Sequence, residues 1–177
     1  MSSKSIKVID NYLSKEEADR VENDMIHPMF PWYYHNIITH WDHEMEDPKK
    51  HFQFVHSFFF ENEITSKYYL IIKPIIEKLE VKSLIRVKAN CITLTDERVL
   101  HGFHTDYDDN VTSIYYVNDN NGYTEFETGE KIESIKNRMV IFDSNIKHRG
   151  TSQTDKQVRV NINFNYYPKD WKGTYGS

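Results

Sequence analysis

The stretch QVRVNINFNYY, residues 157–167, alternates strictly, with Val158, Val160, Ile162 and Phe164 on one parity and Arg159, Asn161, Asn163 and Asn165 on the other. A period of two is the signature of a β-strand with one apolar and one polar face, because successive side chains point to opposite sides. The apolar set requires a core to pack against. The polar set either meets water, as on an ordinary edge strand, or lines something. Arg159 makes the second reading worth pursuing, since a guanidinium presents a fixed fork of donors that suits a carboxylate gripped in two places.

Moving upstream, the chain falls into further short runs of strand formers: LIRVKANCITL (84–94), VTSIYYV (111–117), YTEFE (123–127), KIESI (131–135) and RMVIF (138–142). The connections NDNNG (118–122) and DSNIKHRGTSQTDK (143–156) carry the Asn, Asp, Gly and Ser that turns favour. The first half has a different character. IKVIDNYLSKEEADRVENDMI (6–26) predicts a short strand and then a helix, with Ser14 and Glu17 at capping-box spacing ahead of Ala18, Val21 and Met25. Strand-forming aromatic runs follow at 32–38 and 52–60, joined by the polar loop DHEMEDPKKH (42–51). ITSKYYLIIKPIIEKL (64–79) predicts a second amphipathic helix that Pro74 kinks or shortens. Two helices followed by about eight short strands predict an α+β, mainly β chain, with helices on one side of an antiparallel sandwich or open barrel.

The bulk numbers narrow the function classes. A chain of 177 residues is the size of one domain, 1–177, with a loose tail at its end. A net charge of −5 and a pI near 6.0 argue against a nucleic-acid partner, which usually meets a basic face. The single cysteine, Cys91, cannot form an internal disulfide; no apolar run approaches the roughly 20 residues of a membrane span, and the first residues lack a secretory signal. The expectation is a cytoplasmic protein.

The chemistry is concentrated in FHTDYDD, residues 103–109. His104 and Asp106 stand two apart, so at the end of one strand both face the same way. A third ligand is needed for a facial site, and His148, after the RMVIF strand, supplies it. Two histidines and a carboxylate leave positions open on Fe(II), as in non-haem oxygenases, or hold zinc with a nucleophilic water. Arg159 follows His148 closely enough for a hairpin to return it beside the metal-bearing strand. The bland readings are a turn His and Asp, and an edge arginine. His101 reads as a surface residue or one behind the ligands, His40, Asp42 and His43 as an adventitious loop cluster, and His56 as a hydrogen-bonded sheet histidine. Trp32, Tyr33 and Tyr34 read as closing the core or, as the alternative, lining a substrate cleft.

Taken together, HGFHTDY (101–107), TSIYYVNDNNGYTEF (112–126), NRMVIFDSNIKHRG (137–150) and VRVNINFNYY (158–167) resemble the Fe(II)- and 2-oxoglutarate-dependent oxygenases of the prolyl-4-hydroxylase-like group. VIDNYLSKEEADRV (8–21) and FPWYY (30–34) are similar to small relatives carried by bacteriophages. The resemblance implies a double-stranded β-helix, or jelly roll, over 84–168 with supporting elements over 1–83. It also implies Fe(II) on His104, Asp106 and His148, and 2-oxoglutarate and O2 as cosubstrates. Arg159 would hold the distal carboxylate with help from Tyr116, while Asn90 and Asn161 would contact cosubstrate or substrate. The implied reaction is hydroxylation of a prolyl residue in a peptide or of a small molecule. Many relatives have Gly-Gly where this chain has Asn121-Gly122, and glycine near Asn137-Arg138, which leaves the hairpin shapes open. The rival readings are a non-catalytic jelly-roll module and a zinc hydrolase on the same ligands.

Overall fold

The alternating stretch is strand β11 (Val158–Pro168), and it lies inside a sheet, paired on both sides. The computed structural model describes residues 6–38 and 47–171. One neighbour of β11 is β5 (Val81–Thr93), which begins three residues before the run read from the sequence; the other is β6 (Val111–Tyr116). Beyond β6 come β9 (Arg138–Asp143) and β1 (Lys7–Ile9). Beyond β5 come β3 (Gln53–Phe60) and β2 (Tyr33–His35), with β4 (Glu63–Ile64) also on β3. These eight strands form one antiparallel sheet. It draws strands from both sides of residue 84. A second sheet of β10 (His148–Gly150), β7 (Tyr123–Phe126) and β8 (Lys131–Glu133) completes the jelly roll.

The alternation along β11 sorts the two faces of the large sheet. Val160, Ile162 and Phe164 join Ala89, Tyr115 and Met139 in a core that also takes Ala18, Val21 and Met25 from the helix α1 (Lys15–Ile26). The opposite face carries Ile114, Tyr116, Val140 and Phe142, which meet Phe126 and Ile132 of the small sheet. Tyr115 and Tyr116 therefore face opposite ways, as their parity requires. Ser14 caps α1 with the reciprocal Ser14–Glu17 bonds expected of a capping box, a feature worth about 1 kcal/mol.

The predicted second helix is much shorter than its pattern suggests. Ile64 pairs with β3, a 3-10 turn covers Tyr69–Ile71, and only Lys73–Lys78 forms α2, with Pro74 in its first turn. Proline is tolerated there because the first amides of a helix have no partner to lose. The aromatics before β3 also divide. Trp32 packs against the core and donates to the Met25 carbonyl at 3.3 Å, whereas Tyr33 and Tyr34 are exposed on β2 and close no core. No helix among the described residues is long and apolar enough to cross a membrane.

Asn137 ties the N-terminal segment to the sheet. It has φ 63°, accepts from the Leu13 amide at 2.8 Å and donates to the Leu13 carbonyl at 2.9 Å, and Tyr115 donates to its side-chain oxygen at 3.2 Å. Asparagine tolerates the left-handed region and supplies bonds that glycine cannot. Asn137→Ala is expected to lower unfolding stability by about 3 kcal/mol, since two buried backbone groups lose partners and the backbone is strained. Asn137→Gly should recover part of this loss. Urea midpoints of the two variants check both statements.

Candidate metal centre and adjoining cavity

His104 and His148 are far apart in sequence but form a reciprocal backbone pair, each amide donating to the other's carbonyl at 3.0 Å. That pair fixes both Cα positions. Each imidazole Nδ1 then contacts the carbonyl two residues earlier, Gly102 at 3.2 Å and Ile146 at 3.3 Å. Such bonds favour the tautomer with the proton on Nδ1, which leaves each Nε2 lone pair free for a metal. The rings lie 4.7 Å apart, and Phe142 packs edge-on against His148. The ligand atoms of His104, Asp106 and His148 all fall within 4.8 Å of one another, a spacing one ion can bridge. Arg86 donates to one Asp106 oxygen at 2.9 Å and Asn165 to the other at 3.2 Å.

The environment holds the groups in the protonation states in which they could ligate a metal. Burial is the largest influence on His148 and favours the neutral ring, lowering its pKa to about 4. Burial also lowers His104. For Asp106 burial opposes ionisation, but Arg86, the two histidines and Asn165 outweigh it and bring the carboxyl to about 2. Both groups bind protons less readily folded than unfolded, where the ordinary values are 6.5 and 3.8. Stability from His148 is thus complete above pH 6.5 and disappears as pH falls through 4; that from Asp106 goes between 3.8 and 2. Metal-free protein should lose unfolding free energy progressively from pH 6.5 downward and show a plateau from there to about pH 8, where the buried Lys88 begins to titrate, as denaturant titrations across pH can check.

Arg159 reaches the same region by another route than a hairpin. The chain after β10 crosses to the large sheet, so the two strands face each other across the jelly roll instead of pairing. From there the guanidinium points back at β10: a methyl group on Gly150 would lie 3.7 Å from its Nη1. Arg159 is only 1% exposed, donates from Nε to Ser134 Oγ at 2.9 Å, and has no acidic partner among the described residues. Gly122 closes over it; a Cβ there would sit 2.8 Å from Arg159 Cδ and 2.9 Å from Asn120 Oδ1, so a larger residue would have to displace those side chains. Tyr116 is fully buried against Arg159, 5.8 Å from ring centre to guanidinium, and donates to Thr124 at 2.7 Å. Thr124, one layer nearer, lines the cavity.

A cavity of about 310 Å³ connects the three candidate ligands with Arg159. Asn90 and Asn161 line it between the two ends, joined by a 2.9 Å bond from Asn90 to Asn161, and the Asn90 side-chain carbonyl oxygen is buried without a partner among the described residues. The polar face of β11 therefore lines a cavity, not bulk water. His101 also lines it; of the two placements read from the sequence, the surface one does not hold: it is buried, its Nδ1 lies 3.1 Å from that of His51, and its Nε2 has no partner among the described residues. His101 and His104 both face this cavity, which the spacing alone did not reveal. Arg86, Lys88 and Gln53 also line the cavity and were not singled out from the sequence. Arg86 and Lys88 share the inward parity of Asn90, the signal that was available. His56 is the hydrogen-bonded sheet histidine expected, bridging the Pro31 carbonyl and Ser66. The cluster His40, Asp42 and His43 lies outside the described residues.

No protein-family model and no curated protein matches the sequence. Solved structures do match in fold. A prolyl hydroxylase from Trichoplax adhaerens, in complex with a hypoxia-inducible-factor peptide fragment, superposes with TM-score 0.57 at 12% identity, covering 99% of this chain and 89% of that one. A prolyl-4-hydroxylase from Pseudomonas putida gives 0.57 at 11%, covering 95% of each chain. The non-haem α-ketoglutarate-dependent epimerase SnoN of nogalamycin biosynthesis gives 0.63 at 11%, covering 98% and 87%. At such identities the likeness is one of fold.

Proposed function

We propose that this protein is an Fe(II)- and 2-oxoglutarate-dependent oxygenase that hydroxylates a C–H bond of a second substrate. The observation that carries the reading is that one cavity joins the candidate His104–Asp106–His148 ligand set to Arg159, a buried cation with no counter-anion among the described residues. The donor set fits the metal. Two neutral imidazoles and an ionised carboxylate suit Fe(II) and leave cis positions for a chelating keto acid and a gas. Arg159 fits the cosubstrate, because an unpaired buried guanidinium costs several kcal/mol and a bound carboxylate offsets it. A zinc hydrolase on the same ligands would leave Arg159 without a task.

In this reading the bound iron and cosubstrate supply the oxidising chemistry, consuming O2 and 2-oxoglutarate, releasing succinate and CO2 and delivering one oxygen atom to the substrate. The chain supplies position and exclusion of water. Arg159, anchored by Ser134, would take the distal carboxylate of 2-oxoglutarate. Arg86 and Asn165 hold Asp106 in one rotamer and ionised. Asn90 and Asn161 would offer amide groups to the cosubstrate or substrate, and Ile92 and Ile114 make part of the wall apolar. Tyr116 would act on the same carboxylate chiefly through Thr124. Among the fold neighbours one is described with a peptide and another as an epimerase, so the neighbours name no substrate.

The test is aerobic incubation of Fe(II)-loaded protein with 2-oxoglutarate, with succinate measured. Slow iron-dependent succinate formation without added substrate is the expected result. Its absence from folded, iron-loaded protein across a broad panel of candidate acids, peptides and metabolites would reject the assignment.

A further inference from the structure

On the inward face of β5 the side chains run Arg86, Lys88, Asn90 and Ile92, opposite Asn165, Asn163, Asn161 and Arg159 of β11. Every cation in this grid except one has a task. Arg86 is committed to Asp106, and Arg159 is the only cation next to Ser134 and Thr124 at the far end. Lys88 lines the cavity between them and makes no hydrogen bond or ion pair among the described residues. Its cross-strand neighbour Asn163 shares one weak contact with Asn90 at 3.4 Å, and its amide N–H groups have no partner among the described residues.

We infer that Lys88, with Asn163, forms an anion-binding subsite for the primary substrate, which therefore carries an acidic group, a carboxylate or a phosphate. This deepens the oxygenase reading and rests on it. Three observations support the assignment. An ammonium shielded from water without a counter-anion is costly, and a charged substrate group offsets the cost. Burial, with Arg86 beside it, lowers the Lys88 pKa to about 8, so the ammonium is held less firmly than on a free lysine and an anion bound beside it would stabilise the charged form. With the ferrous ion and keto diacid in place, the metal, Arg86, Arg159 and Lys88 still outweigh Asp106 and two carboxylates, leaving the cavity net positive. β5 is also one strand nearer than β11 to β3 and β2, and the exposed His35 of β2 and the half-buried Ile37 just after it line the same cavity.

The test uses protein loaded with Zn(II) and N-oxalylglycine, an unreactive analogue of 2-oxoglutarate, titrated with acetate, inorganic phosphate and acetamide and followed by amide NMR shifts. Lys88→Met preserves the length of the side chain and removes the unpaired charge, so it should fold with an equal or higher Tm. The expected result is saturable binding of acetate or phosphate around Lys88 and Asn163, no binding of acetamide, and at least a tenfold loss of anion affinity in Lys88→Met. N-oxalylglycine affinity should stay within about twofold of wild type. Equal anion binding in the variant, or equal binding of acetate and acetamide, overturns the subsite. A parallel collapse of N-oxalylglycine affinity would assign Lys88 to the cosubstrate and overturn it too. Protein that takes up neither metal nor N-oxalylglycine rejects the oxygenase reading itself, a result distinct from loaded protein that ignores anions.

Discussion

His148→Ala is expected to abolish 2-oxoglutarate turnover and to weaken Fe(II) binding at least a hundredfold while leaving the jelly roll folded. The two effects separate because His148 does two jobs with different atoms. Its backbone amide and carbonyl make the reciprocal bonds to His104, which alanine makes equally well. Its ring supplies one of three ligand atoms within 4.8 Å and packs on Phe142. Truncation should cost about 1–3 kcal/mol of stability, within what a domain of this size tolerates. Two remaining ligands cannot hold a ferrous ion facially. Metal content after dialysis, succinate formation and the far-ultraviolet dichroism of the variant check the three parts separately, and a variant that keeps its iron would show that His148 is not a ligand.

Arg159→Leu carries the second large effect, with opposite signs on affinity and stability. A charge-assisted bond contributes roughly 1.5–3 kcal/mol, so losing a two-pronged grip on a carboxylate should raise the KM for 2-oxoglutarate about a hundredfold or more. In the absence of cosubstrate the same substitution removes a guanidinium that is 1% exposed and has no acidic partner among the described residues. Replacement of an uncompensated buried charge by an apolar side chain is often neutral or stabilising, so the Tm of the free protein should hold or rise. Arg159→Lys keeps the charge but loses the fork, and should fall between the two in KM. A purely structural arginine would lower Tm and KM performance together, which steady-state kinetics beside thermal melts would reveal.

Much of this was legible because side-chain period is a direct consequence of backbone geometry. The parity of residues 158–165 assigned Val160, Ile162 and Phe164 to the core and Arg159 and Asn161 to one common face, and the sheet obeys it. The capping box at Ser14 was equally visible, because capping depends on a few adjacent residues. What lay across from each face was not. Whether β11 was an edge or a central strand depends on β5 and β6, which are distant in sequence, and no periodicity reports pairing partners. The same ignorance produced the hairpin expected between His148 and Arg159, where the chain instead crosses between sheets. In 64–79 the apolar spacing suited a helix throughout, but pairing with β3 claimed Ile64 and Pro74 confined α2 to the end. Spacing left His101 either on the surface or behind the ligands, because the direction of a side chain beside a glycine cannot be inferred from sequence; it is buried in the cavity wall. Lys88 was overlooked because a lysine in a strand usually faces water, and only the covering sheet makes this one face a cavity.

The central claim is that His104, Asp106 and His148 hold a single ferrous ion to which a keto diacid, anchored at Arg159, chelates. Its most direct test is the visible absorption of the Fe(II)-loaded protein as 2-oxoglutarate is added without oxygen. The account predicts a metal-to-ligand charge-transfer band that saturates at one equivalent of iron, disappears in His148→Ala and requires far more 2-oxoglutarate in Arg159→Leu. Iron-loaded, folded wild-type protein that develops no band would contradict it.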